Sequence, residues 1–118
     1  MHETELTIFP GPIAARRSNS VDLVIKIDST KDMPMWYEAE VRLPPALSLS
    51  QAQLQNSGRF RLGIVEPRGY LQKEIKVHAS HNTAPQLYKC DVAIFAYDQN
   101  ANLKDRTDTH VQLRCENR

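Results

Sequence analysis

The chain is poor in cysteine, in glycine and in net charge, and each shortage excludes something. Two cysteines, Cys90 and Cys115, are too few and too widely spaced for a zinc ribbon or a CxxC redox pair. Four glycines argue against an open five-stranded barrel, which turns its corners on glycine. Fifteen Lys and Arg against fourteen Asp and Glu leave a net charge of +1, so no broad field draws in nucleic acid or anionic lipid. No apolar run is long enough for a signal peptide or a transmembrane helix, and Glu3 and Glu5 interrupt the N-terminal segment. The expected location is therefore cytoplasmic, with no membrane partner. A glycine-rich phosphate loop, G-x-S-x-G and HExxH are all missing, so neither an enzyme nor a cofactor is expected.

What the chain does have is a rhythm of two. Its 118 residues, 41% hydrophobic and 25% charged, suit one globular domain spanning residues 1–118. Val21, Leu23, Ile25 and Ile27 alternate with Asp22, Lys26 and Asp28, the pattern of a half-buried strand. Tyr37, Ala39, Val41 and Leu43 alternate with Glu38, Glu40 and Arg42 until Pro44 and Pro45 end the pairing. Phe60, Leu62 and Ile64 form a third run. Pro67 and Gly69 fit a tight turn after it, which predicts a hairpin whose return arm is Tyr70–Ala79, with Lys73 breaking the alternation near an edge. From Tyr88 to Tyr97 the even positions are apolar throughout, and the odd ones change from Lys89 and Asp91 to Ala93, Phe95 and Tyr97, so half of this strand is covered on both faces. A last strand is expected from Thr109 to Cys115, and a first from Leu6 to Phe9, interrupted at Pro10, Gly11 and Pro12 where an edge strand crosses between sheets. Only Ser50–Gly58 reads as helix, two turns at most, with Ser50 and Gly58 as caps. Seven short strands without intervening amphipathic helices predict an all-β, immunoglobulin-like antiparallel sandwich with at most one short helix.

Asn19–Thr30 and Met35–Leu49, a strand, a turn and a strand running into Leu43, Pro44 and Pro45 before a leucine-rich stretch, resemble archaeal immunoglobulin-like modules near the CARDB (cell adhesion related) group. The resemblance covers roughly the first half of the chain. It implies a sandwich and a non-catalytic module that spaces or binds other proteins.

Pairing the last two strands so that Ile94 faces Val111 and Val92 faces Leu113 also sets Cys90 opposite Cys115, either as a disulfide or as a reduced buried pair. Inward thiols among Val, Leu and Ile hold little thiolate, which argues against a nucleophilic role. His78, His81 and His110 invite a metal reading, but the cysteines have inward parity while His78 and His110 face outward. Arg16, Arg17, Arg59, Arg61 and Arg68 with Trp36 or Tyr70 could form a base-stacking surface. Against that, Arg59 and Arg61 can face Glu38 and Glu40 as a cross-strand ladder. The surface singled out is apolar: Trp36, Ala93, Phe95 and Tyr97 share outward parity on strands expected to be neighbours, and a loop such as Ala46–Gly58 could cover them. The expected function is thus a protein-interaction or structural module whose partner is another protein or a second copy. The alternative is a small metal-binding or nucleic-acid-binding domain.

Overall fold

A computed structural model of the chain describes residues 2–9 and 11–117, among which there are nine strands and no helix. They are β1 (His2–Phe9), β2 (Ile13–Ala14), β3 (Asn19–Ser29), β4 (Met35–Arg42), β5 (Leu47–Ser48), β6 (Ser57–Val65), β7 (Tyr70–Ala79), β8 (Gln86–Tyr97) and β9 (Leu103–Glu116). A four-stranded sheet has the order β1-β3-β7-β5, and a five-stranded sheet the order β2-β9-β8-β4-β6. All pairs are antiparallel except β2 with β9. The expected sandwich is present, with two short strands, β2 and β5, more than alternation reveals.

The two-residue rhythm builds the core directly. Val21, Leu23, Ile25 and Ile27 of β3 face Met35, Tyr37, Ala39 and Val41 of β4 across the sandwich, and none of the eight exposes more than 3% of its surface. Ile94 and Cys90 from β8, with Leu113 and Cys115 from β9, complete the layer. The chain changes sheets between β1 and β2, as expected; Gly11 has φ 149° there, and the kink residue Pro10 lies outside the described residues. Lys73 pairs with Ile25 of β3 on one side and, because β5 pairs only at Ala79 and His78, has no sheet partner strand on the other among the described residues.

Four expectations fail, each for a local reason. Residues 66–69 do form a tight turn, with the Gly69 N–H donating to the Glu66 carbonyl at 2.8 Å. The strands it joins belong to different sheets, however, so it is a crossing and not a hairpin. Residues 50–58 form no helix. The Ser48 hydroxyl donates to the carbonyls of Ser50 and Gln53 and accepts the N–H groups of Ser50 and Gln55, offering the backbone a loop in place of helical bonds. The last strand starts at Leu103, well before Thr109, because the turn ahead of it is short and tightly bonded. The Asp98 carboxylate accepts the N–H groups of Asn102 and Asn100, each at 2.9 Å, which holds its carboxyl below the usual range; Ala101 takes the left-handed φ of 63°. Finally, this turn and a bulge at Lys104 set the β8–β9 register so that Cys90 faces Val111 and Cys115 faces Gln86. The parity is the expected one, but the cysteines are not opposite each other; both are free and buried.

Candidate functional site

The outer face of the five-stranded sheet is built from β6, β4, β8 and β9, whose outward residues stand in rows. Ile64, Trp36, Tyr97 and Leu103 make the first row, Arg61, Glu38, Phe95 and Arg106 the second, and Arg59, Glu40, Ala93 and Asp108 the third. The adjacency of the Trp36 strand and the Tyr88–Tyr97 strand is as the sequence suggested, and all four singled-out residues share this face.

They do not form a continuous exposed patch. Phe95 is only 7% exposed and Ala93 9%, which corrects their placement on an open surface. Phe95 is covered not by the Ala46–Gly58 loop but by a roof of charged side chains. The Arg59 guanidinium lies over the Phe95 ring at 4.1 Å from its centre, and Arg106 lies at 5.2 Å. Arg59 is fixed in turn by the Glu38 carboxylate, at 2.7 Å from Nε, and by the Tyr97 hydroxyl, which accepts from its Nη2 at 2.6 Å. The expected ladder between Arg59, Arg61, Glu38 and Glu40 therefore exists as a diagonal, Arg59 bonding Glu38, with Arg42 satisfying Glu40 at 2.7 Å. Arg106 bonds Asp108 at 3.2 Å on the same face.

What stays open is the first row. Trp36 is 36% exposed, Leu103 53% and Ile64 65%, with Tyr97 half-buried between them. Beside the indole, Trp36, Glu38, Arg61, Tyr97 and Ala101 line a depression of about 260 Å³. Ile64 and Leu103 were missed as members of this surface. Ile64 has the same parity as Phe60, which is half-buried, but the extra residue Leu62 in β6 opposite the Tyr37/Glu38 step turns it outward. Leu103 lies ahead of the second bulge, where the sequence shows only a polar turn.

The remaining candidates stay apart. The thiols of Cys90 and Cys115 point into the core, and burial, helped by the Asp91 charge, pushes Cys90 up to about 11. His78 and His81 flank a surface hollow that also involves Ser48, Ser50 and Leu54, while His110 is exposed on β9 in the other sheet. Among the described residues no group of three or more His, Cys, Asp or Glu is placed to hold a metal. Arg16 is bonded through its N–H to Thr83 near the end of β9 that meets β2, whereas Arg68 faces Asp32 at 3.6 Å, next to the Met35–Val65 end. The basic residues thus do not gather into one surface with Trp36.

No protein-family model matches the chain, and a search of curated proteins gives no match. The fold is similar to solved β-sandwiches. A non-cellulosomal cohesin from the archaeon Archaeoglobus fulgidus is 17% identical with a TM-score of 0.52, over 97% of this chain and 91% of that one. A chain of a type I cohesin–dockerin complex from Clostridium thermocellum is 12% identical with a TM-score of 0.55, over 96% and 99%. A DNA glycosylase from Pseudomonas fluorescens, solved on DNA with an abasic-site analogue, is 12% identical with a TM-score of 0.51; the chain covers 30% of that protein's length. At these identities the likeness establishes the architecture, an all-β sandwich of the kind seen in cohesins.

Proposed function

We propose that the chain is a non-catalytic protein-interaction or structural module that presents the outer face of its five-stranded sheet to another protein. The observation that carries this reading is the row Ile64, Trp36, Tyr97 and Leu103, an apolar band across four strands beside a field of mutually satisfied charges. An exposed indole next to a small depression, rimmed by polar groups, has the anatomy of an anchoring residue at an interface. Two neighbours in fold support it in kind: both are cohesins, and one was solved bound to dockerin. The adhesion-type kinship suggested by the Leu43, Pro44 and Pro45 stretch belongs to the same proposal.

The test is site-specific. A photo-crosslinking amino acid at Ile64 captures the partner in cells, and the purified pair is then titrated against Trp36→Ala. The expected result is a loss of affinity of about tenfold or more with an unchanged melting curve. A partner held equally well by the Trp36→Ala protein defeats the proposal.

A further inference from the structure

Charge on the outer face of the five-stranded sheet is almost fully paired, and the exception lies beside Trp36. Arg59 holds Glu38 and Arg42 holds Glu40, each at 2.7 Å, and Arg106 holds Asp108 at 3.2 Å. Toward the rims, Lys89 meets Asp91 at 3.7 Å, Arg114 meets Glu116 at 3.7 Å and Lys104 meets Asp98 at 3.6 Å. Arg61 stands directly opposite Glu38 in the β6–β4 ladder, but that carboxylate is taken by the Nε of Arg59, whose Nη2 donates in turn to the Tyr97 hydroxyl. Among the described residues of this face, Arg61 is the one Lys, Arg, Asp or Glu side chain with neither an ion pair nor a hydrogen bond.

A lone surface arginine is ordinary, since water satisfies it at little cost. What marks Arg61 is its place: it lines the same depression of about 260 Å³ as the indole, with Glu38, Tyr97 and Ala101. Ala101 brings a wall from the turn after β8, and the Asp98 carboxylate of that turn is engaged by the N–H groups of Asn100 and Asn102, each at 2.9 Å. The depression thus combines an aromatic face, an open fork of guanidinium donors and a carboxylate that is already neutralised.

Taking this face as the docking surface argued above, we propose that the depression receives an acidic side chain, Asp or Glu, of the partner protein, which Arg61 grips while the residues flanking it lie on Trp36 and Ile64. The planar fork matches a carboxylate in two parallel hydrogen bonds. A phosphate dianion fits less well, because one free cation would face its two charges with Glu38 alongside. A neutral or basic residue would cover Arg61 and leave it without a counter-ion, the costly way to bury a charge. The row of Ile64, Trp36, Tyr97 and Leu103 runs out to the β6 edge, so a segment laid along it passes Arg61 in mid-chain, which favours a side chain over a chain terminus.

The chain has a single tryptophan, so its fluorescence reports on the depression directly. A displayed library of short random peptides, panned on the folded chain, supplies the probe. Clones that also bind Trp36→Ala are discarded, and the survivors are synthesised with free and with amidated C-termini and titrated by Trp36 fluorescence. The survivors are expected to carry Asp or Glu beside an aromatic or aliphatic residue and to bind equally well in both forms. Arg61→Ala is expected to weaken them by about tenfold or more with an unchanged melting curve. Panning on Arg61→Glu is expected to select Lys or Arg at the same position. Arg61 is exposed, and circular dichroism confirms that both variants fold. Survivors that lack an acid, or whose binding is indifferent to Arg61→Ala, overturn this inference and leave the docking surface standing. So do tighter binding of phosphoserine than of Glu at the acidic position, and binding that disappears on amidation. A library without any clone that depends on Trp36 overturns the docking surface itself, and this inference with it.

Discussion

The two outer faces of the sandwich begin from the same alternation and end differently. On the four-stranded sheet, Asp22, Val24, Lys26 and Asp28 of β3 are all half-buried, each shielded modestly by its neighbours; Lys76 reaches Asp22 at 3.2 Å, and Lys26 lies 5.4 Å from the Tyr70 ring. On the five-stranded sheet, Val92–Ala96 of β8 are buried at every position, outward as well as inward. The difference comes from what the adjacent strands carry. Two arginines, from β6 and β9, converge on one phenylalanine and lay their apolar stems and planar heads over it, while nothing comparable covers Trp36 one row away. An outward aromatic is therefore either roof-bearing core or open surface according to its lateral neighbours, which parity along its own strand does not reveal.

The contrast is sharpest at Phe95 and Val24, both outward residues of central strands. Phe95→Ala is expected to cost about 3 kcal/mol in urea unfolding, as for a core aromatic, and Val24→Ala about 1 kcal/mol or less. If the two cost the same, the two faces do not differ in the way described. The inward side of β8 supplies the next effect. The Cys90 pKa is raised from 9.0 to about 11 in the folded chain, so between those values the unfolded state releases the proton first and stability falls as pH rises. The loss specific to this thiol is expected to reach about 2 kcal/mol by pH 11 and to vanish in Cys90→Val, with unfolding followed at each pH. Smaller still is the roof itself. Arg59→Ala removes the contacts to Glu38, Tyr97 and Phe95 together and is expected to cost about 1 kcal/mol, with Arg59→Lys restoring only part of it, since lysine lacks the flat fork that engages all three. On the opposite face Lys76→Ala, which breaks one exposed pair with Asp22, is expected to cost roughly 0.3 kcal/mol. An Arg59 effect no larger than that of Lys76 would remove the distinction between a roof and an ordinary ion pair.

Much of the architecture was legible because burial acts on every second side chain. The runs through Val21–Ile27, Tyr37–Val41 and Tyr88–Ala96 declare their strands, their inward faces and even the doubly covered half of β8. The sheet change ahead of Ile13 was readable from prolines that cannot sustain a ladder. What stayed hidden is lateral. Pro67 and Gly69 specify a turn but not which sheet receives the next strand, so a crossing looks like a hairpin. Ser48 defeats a helix through its own hydroxyl, an outcome that capping residues at Ser50 and Gly58 do not disclose. The bulge in β6 inserts one residue, which suffices to turn Ile64 outward, and the turn at Asp98–Asn102 sets a β8–β9 register four residues from the one that would put Cys90 opposite Cys115. The candidate surface was legible to the same degree: its strands and Trp36 were found, Phe95 proved to be beneath two arginines and Ala93 to be buried, and Ile64 and Leu103 emerged only once the rows were aligned.

The parallel pairing of β2 with the far end of β9 has a mechanical side. Tension applied ahead of Ile13 and beyond Glu116 pulls these two strands in opposite senses along their length, so their bonds must slide together rather than peel one after another. A clasp loaded in that direction resists stretching better than its two residues of contact suggest.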